Sequence, residues 1–148
     1  MIQQRLKSRR MKLLAVFPIF FSLLLLQSCN TTKYTFSTSS IVPAAEGSVK
    51  VKSDKNNNYT IDLDVMRLAE PQRLNPAKAT YVVWMQTEKN GNKNIGQLKT
   101  ASGTFSSTLR SSLKTVSTFE PIGFFITAEE IANIQFPAGQ TVLSTNSL

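Results

Sequence analysis

From Tyr59 to Val65 the chain alternates strictly. Tyr59, Ile61, Leu63 and Val65 fall on one side of an extended backbone, Thr60, Asp62 and Asp64 on the other. Period two marks a strand with one dry face and one wet face. Ser48-Val49-Lys50-Val51-Lys52 alternates in the same way, and Lys55-Asn56-Asn57-Asn58 lies between the two runs. Asn tolerates left-handed backbone and bonds its own chain, so this is a turn signal and the two runs predict a β-hairpin.

Later segments repeat the pattern. Leu68 to Ala79 holds Pro71 and the Asn75-Pro76 pair and reads as a connection. Thr80–Thr87 is apolar on both faces, as suits a central strand covered on both sides. Asn90-Gly91 is the strongest short hairpin signal, here in a loop longer than two residues, and Asn94–Lys99 returns as the partner strand. Gly103 opens a run from Thr104 to Leu109, Leu113 to Phe119 is an ambiguous short strand, and Pro121–Thr127 is a buried one. Thr127-Ala128-Glu129-Glu130 matches a capping box, so Ala128–Ala132 is expected to make one helical turn. Pro137-Ala138-Gly139 then turns the chain into a last strand, Gln140–Ser144. About seven or eight short strands at near-regular spacing predict an all-β fold, an Ig-like antiparallel β-sandwich.

The N-terminal stretch is of another kind. Arg5, Lys7, Arg9, Arg10 and Lys12 precede an apolar run of 14 residues, Leu13–Leu26, broken only by Pro18 and Ser22. A basic segment, an apolar segment and a small residue before a cut describe a secretory signal peptide. As a helix the run would span roughly 21 Å, short of the ~30 Å hydrocarbon core, so a permanent transmembrane helix is not expected. Leu26-Gln27-Ser28-Cys29 resembles the lipobox of bacterial lipoproteins, with Gln27 a looser fit than a small residue. The resemblance implies cleavage between Ser28 and Cys29. The Cys29 sulfur would then carry a diacylglyceryl group, and its amine a further acyl chain such as palmitate. Two or three chains anchor a protein stably where one does not. The alternative is an ordinary signal peptide with a chance cysteine.

The expected organisation is therefore a signal peptide over 1–28, a lipidated Cys29 with a Ser/Thr-rich tether over 29–45, and a sandwich domain over 46–148. A flexible tether of that length would reach roughly 20–25 Å. Tyr34, Phe36 and the Ile41-Val42 pair leave a second possibility open, a first strand docked on the domain.

Without the leader, 12 Lys and Arg stand against nine acids, a charge of +3. The basic residues are scattered along the sequence, so nothing supports a nucleic-acid partner. No histidine occurs and the one cysteine is assigned to lipid. That excludes a His-dependent triad, a His or Cys zinc site, a CxxC redox pair and an intramolecular disulfide. No metal and no cofactor are expected.

Four motifs occur in order: Tyr81-Val82-Val83-Trp84; Ile95-Gly96-Gln97-Leu98; Phe125-Ile126-Thr127-Ala128-Glu129; and Pro137-Ala138-Gly139-Gln140-Thr141-Val142-Leu143. Together they resemble the extracytoplasmic C-terminal domain of anti-sigma-K-type factors. The likeness covers residues 80–143 and marks Tyr81, Trp84, Gly96, Leu98, Thr127, Glu129, Pro137 and Gly139 as its structural motif positions. It implies the sandwich and a sensing or protein-contact role. The family's cytoplasmic sigma-binding domain and membrane helix have no counterpart in this chain, so sigma-factor inhibition is not implied.

Individual residues offer little chemistry. Trp84 could stack on a ligand, but its place between Val83 and Met85 suits a core residue. Asp62 and Asp64 share a strand face, yet Ca²⁺ wants six or more oxygens, which favours a solvated polar face. Glu129 and Glu130 could act as acid and base, or serve as surface charge or a helix start. Ser106, Ser107, Ser111 and Ser112 lack a Gly-x-Ser-x-Gly elbow.

Two readings follow. One is a non-catalytic, lipid-anchored binding or sensing module of the envelope, with a protein, peptide or glycan partner and a contact loop around Asn90 and Gly91. The other is a small envelope hydrolase acting on glycan or peptide. Asn30 stands where an inner-membrane retention signal would be Asp, and no acidic export cluster follows. The lipoprotein resemblance therefore suggests the periplasmic face of the outer membrane.

Overall fold

The computed structural model describes residues 31–102 and 109–146. The leader with Cys29, and most of the expected Thr104–Leu109 run, lie outside the described residues.

Nine strands build two antiparallel sheets: β1 (Thr31–Thr35), β2 (Glu46–Ser53), β3 (Tyr59–Met66), β4 (Thr80–Thr87), β5 (Gly91–Gln97), β6 (Lys99–Ser102), β7 (Leu109–Ser117), β8 (Gly123–Glu129) and β9 (Gln140–Ser144). The first sheet runs β1-β2-β3-β7-β6 and the second β5-β4-β8-β9. Leaving β1 aside, these are the A-B-E-D and C′-C-F-G orders of the immunoglobulin sandwich. The chain thus forms the expected β-sandwich, with nine strands among the described residues where about seven or eight are expected. One 3₁₀ turn, Pro71–Arg73, lies in the connection before β4.

The alternation decides which side chains meet. Val49, Val51, Ile61, Leu63 and Val65 face inward from the first sheet, opposed by Tyr81, Val83, Met85, Phe124, Ile126 and Ala128 from the second, and all are buried in one core. At roughly 25 cal/mol per Å² of apolar surface removed from water, this core supplies the main favourable term.

Residues 31–45 of the stretch expected as a tether are part of the domain. Thr31 and Thr35 lie on the exposed face of a strand, and buried Ser39 accepts from the Ile41 and Val42 N–H groups, while the four largest apolar positions pack against the core. β1 pairs with β2 from Thr31↔Lys52 to Thr35↔Ser48. Tyr34, Phe36, Val42 and Ala45 are all buried. The Tyr34 ring meets Phe124 edge-on at 5.2 Å, and its hydroxyl donates to the Pro121 carbonyl at 2.9 Å. Phe36 then pairs with Thr145, so the chain leaves the first sheet and closes onto β9 of the second. On the opposite side β5 passes through Leu98 into β6, again from one sheet to the other. A chain segment therefore seals each flank.

The Asn-rich turn is held by one carboxylate. Asp54 Oδ1 accepts from the Asn56 and Asn58 backbone N–H groups at 2.8 and 2.9 Å, and Oδ2 from the Asn58 side-chain amide at 2.9 Å. Asn57 takes φ 58°, as an Asn at a turn can. The Asn58 side-chain amide first, then the backbone donors of Asn58 and Asn56, hold the Asp54 carboxyl below the usual aspartate value. A carboxyl whose pKa is lowered by folding stabilises the fold above the ordinary aspartate range, and that contribution is lost as pH falls through the lowered value. NMR titration should place the Asp54 midpoint below that of free aspartate, and Asp54→Asn should flatten this part of the acid limb in urea unfolding.

Candidate functional site

β4 and β8 carry a second buried surface on the side away from the core. Val82 and Trp84 on β4, with Phe125 on β8, form a separate cluster, and Ala132 and Ile134 pack over it. Trp84 and Phe125 stack at 6.1 Å with planes 13° apart. The cover is the segment 130–139, which leaves β8 and folds back across the outer face before β9. Asn94 on β5 fixes it, its side-chain amide donating to the Ala132 and Ile134 carbonyls, both at 2.9 Å.

A polar chain runs beneath this cover. Trp84 Nε1 donates to Thr127 Oγ1 at 2.8 Å, and Thr127 Oγ1 donates to Glu129 Oε1 at 2.6 Å. The same Oε1 accepts from the Ala138 N–H at 3.2 Å. Trp84 and Thr127 are fully buried and Glu129 is 3% exposed. At Gly139 the backbone passes so close that a Cβ would strike the Ala128 carbonyl and stand 2.8 Å from Glu129 Oε2. Only glycine permits that approach. The motif positions Trp84, Thr127, Glu129, Pro137 and Gly139 thus converge at one place.

The others serve nearby. Tyr81 points into the core, its hydroxyl donating to the Ala69 carbonyl at 2.9 Å, and burial pushes its pKa up to about 12. The Leu98 N–H donates to the Tyr81 carbonyl at 3.0 Å. Gly96 lies against Leu113 of β7, where the flank closes.

Two expectations are corrected here. Ala128–Ala132 makes no helical turn: β8 continues through Glu129, and Thr127 does not cap a helix. Thr127 and Glu129 lie two apart on a strand, so they share a face, and the carboxyl takes the hydroxyl's proton instead. Nor is Glu129 surface charge. Glu130 is, and it pairs with Lys78 at 2.8 Å. Trp84 is buried as expected, though under the 130–139 segment and not between the sheets.

The remaining candidates are dispersed. Asp62 and Asp64 point outward from the first sheet, Glu129 outward from the second, so the sandwich separates them. Asp64 pairs with Arg110 at 3.1 Å. Among the described residues no three acidic, His or Cys side chains gather to hold a metal ion. Ser111 is buried and Ser112 exposed, while Ser106 and Ser107 lie outside the described residues.

Asn90 and Gly91 sit in the β4–β5 hairpin, whose loop is Glu88–Asn90. Thr87 Oγ1 accepts from the Asn90 N–H at 3.0 Å and donates to the Gly91 carbonyl at 2.8 Å, with Gly91 at φ 66°. That is the left-handed residue a three-residue hairpin loop needs.

Chemically, the buried chain of donors is closed. The Thr127 hydroxyl spends its proton on Glu129 and accepts from Trp84, and Glu129 Oε1 is occupied twice. Beside it lies only a shallow hollow of about 190 Å³, lined by Lys78, Glu129, Glu130, Ile131, Ile134, Ala138 and Gly139. The arrangement fastens the 130–139 segment to the sheet. It could have been glimpsed in the sequence from the parity shared by Val82 and Trp84 and by Phe125, Thr127 and Glu129.

Thr127→Val leaves the buried Trp84 N–H without an acceptor and takes one of its two donors from Glu129 Oε1. It should lower stability by about 1–3 kcal/mol, read as an earlier urea midpoint with unchanged slope, and shift Trp84 emission to the red. No family model matches the chain, and no curated protein or solved structure matches it either.

Proposed function

We propose that the protein is a lipid-anchored, non-catalytic interaction or sensing module of the bacterial cell envelope. Cys29 carries the lipid, and the sandwich faces the periplasm from the outer membrane. The single observation that carries the interaction role is the fastened 130–139 segment. Its inner side is riveted through Ala132, Ile134 and Ala138, while Ile131 and Phe136 stand 60% and 76% exposed. A fastened segment that displays large apolar side chains on the face of a sandwich is a recognition device. An envelope protein or peptide with a complementary apolar anchor is the partner it suits. Five of the eight motif residues that resemble the anti-sigma-factor sensing domain, Trp84, Thr127, Glu129, Pro137 and Gly139, lie where this segment is held, which supports the same role.

This reading moves the contact surface from the Asn90-Gly91 hairpin to the segment that covers the outer face of the second sheet. The hairpin lies at the end where β1 begins, close to the proposed anchor. The 130–139 segment leaves β8 at the other end and lies across the outer face of the second sheet.

A photo-crosslinking side chain placed at Phe136 in intact cells should yield a defined protein adduct that Ile131→Asp abolishes. The same probe at Asn90 should yield none. An adduct at Asn90 and none at Phe136 would return the surface to the hairpin. Cys29→Ala should release the protein from the membrane fraction, and retention there would remove the anchor.

A further inference from the structure

We infer that the end of the sandwich where β1 begins is itself a membrane-contact surface, built to lie against acidic phospholipid headgroups. The inference rests on the lipid anchor at Cys29 and says how the domain stands on that anchor.

Reach comes first. β1 starts at Thr31, already paired with Lys52. Two residues of extended chain span at most about 7 Å, so a lipid on Cys29 keeps this end at the headgroups. The floppy 20–25 Å tether that the sequence suggests would impose no orientation; the docked strand does.

The strand directions identify what shares that end. β1 begins there, and the β2–β3 turn, the end of β7, the start of β8 and the β4–β5 hairpin all lie beside it. Tyr34 ties the two sheets together at this level through Phe124 and Pro121. Three large apolar side chains are exposed here: Val116 at 64%, Phe119 at 39% and Ile122 at 38%. Lys93 holds its ammonium 5.1 Å from the centre of the Phe119 ring, an apolar body beside a cation at one height. Side chains of this mixed kind settle at a lipid–water boundary.

Charge is divided in the same sense. Lys33, Lys50 and Lys114 stand in one cross-strand row around Asp62, and Lys52 lies in the row nearer the end. Lys55, Lys89 and Lys93 belong to the turns and the hairpin. Against these seven lysines stand Asp54, Asp62, Glu88 and Glu120, so this half carries the whole +3 of the residues after the leader. The far half balances Arg67, Arg73, Lys78, Lys99 and Arg110 against five carboxylates. Both lysine rows lie within about one Debye length of a surface touching Thr31, near enough to feel its anionic lipids.

The test uses the full lipidated protein in vesicles of phosphatidylethanolamine and phosphatidylglycerol with a headgroup nitroxide. Because Cys29 is the only native cysteine, a thiol fluorophore can be placed alone by Phe119→Cys or, at the far end, by Gln72→Cys. Mass spectrometry of the Cys29 peptide reads the anchor, and blue Trp84 emission confirms that each variant is folded. Several-fold stronger quenching at 119 than at 72 is expected. The difference should shrink when phosphatidylcholine replaces the acidic lipid. Lipidated Cys29 with equal quenching at both positions overturns the membrane-contact surface and leaves the anchor standing. A difference unchanged in neutral vesicles overturns the role of the lysines. An unmodified Cys29 overturns the anchor and this inference together.

Discussion

β4 is hydrophobic on both sides, and that obliges the fold to cover it twice. Tyr81, Val83 and Met85 meet the facing sheet; Val82 and Trp84 need a second lid. A large aromatic removes roughly 150–250 Å² from water. At ~25 cal/mol per Å² that is about 4–6 kcal/mol for Trp84 as an upper estimate. An unpaired indole N–H in the same place would return about 1–3 kcal/mol of it. Apolar burial wins, and by the wider margin once the N–H is paired. Thr127 supplies the acceptor, Glu129 orients Thr127, and Ala138 brings the lid to Glu129. The polar chain exists because the tryptophan is buried, and the loop takes its fixed shape from that chain.

Much of the architecture was legible because period two is a direct consequence of strand geometry. The β2–β3 hairpin, the doubly covered β4, a hairpin loop longer than two residues before β5, the buried β8 and the closing β9 all follow from local pattern. Misreadings arose where local composition and tertiary context disagree. Thr31–Thr35 is polar enough to pass for linker, and only the facing Phe124 and Pro121, distant in sequence, explain why Tyr34 is buried. Thr127–Glu130 satisfies a capping pattern, but a strand puts Thr127 and Glu129 on one face, and the edge of Trp84 rewards that arrangement. The partner of a buried group is a non-local fact, and a pattern of neighbours does not contain it.

The candidate site was half legible. Its residue types could be picked out as a motif, yet their convergence depends on a segment folding back over a sheet. The scattered lysines present the same difficulty in another form. Along the sequence they form no cluster, whereas cross-strand register brings Lys33, Lys50 and Lys114 into one row. The charge asymmetry between the two ends belongs to the topology.

An immunoglobulin-like strand order says nothing by itself about activity, so function has to be argued from what each end and each face offers. The carboxylates that might have cooperated point outward from opposite sheets, and the most buried of them is committed to holding a loop. What remains is a polarity along the strands. One end, where β1 begins two residues after Cys29, gathers lysines and exposed apolar side chains; the other is charge-balanced, and the fastened segment that leaves it displays Ile131 and Phe136. A short link to a bilayer would turn that polarity into an orientation, with one end occupied by lipid and the outer face of the second sheet left open to whatever approaches. Recognition on that face would then need no hinge, because β1, which begins at Thr31, is already part of the sheet.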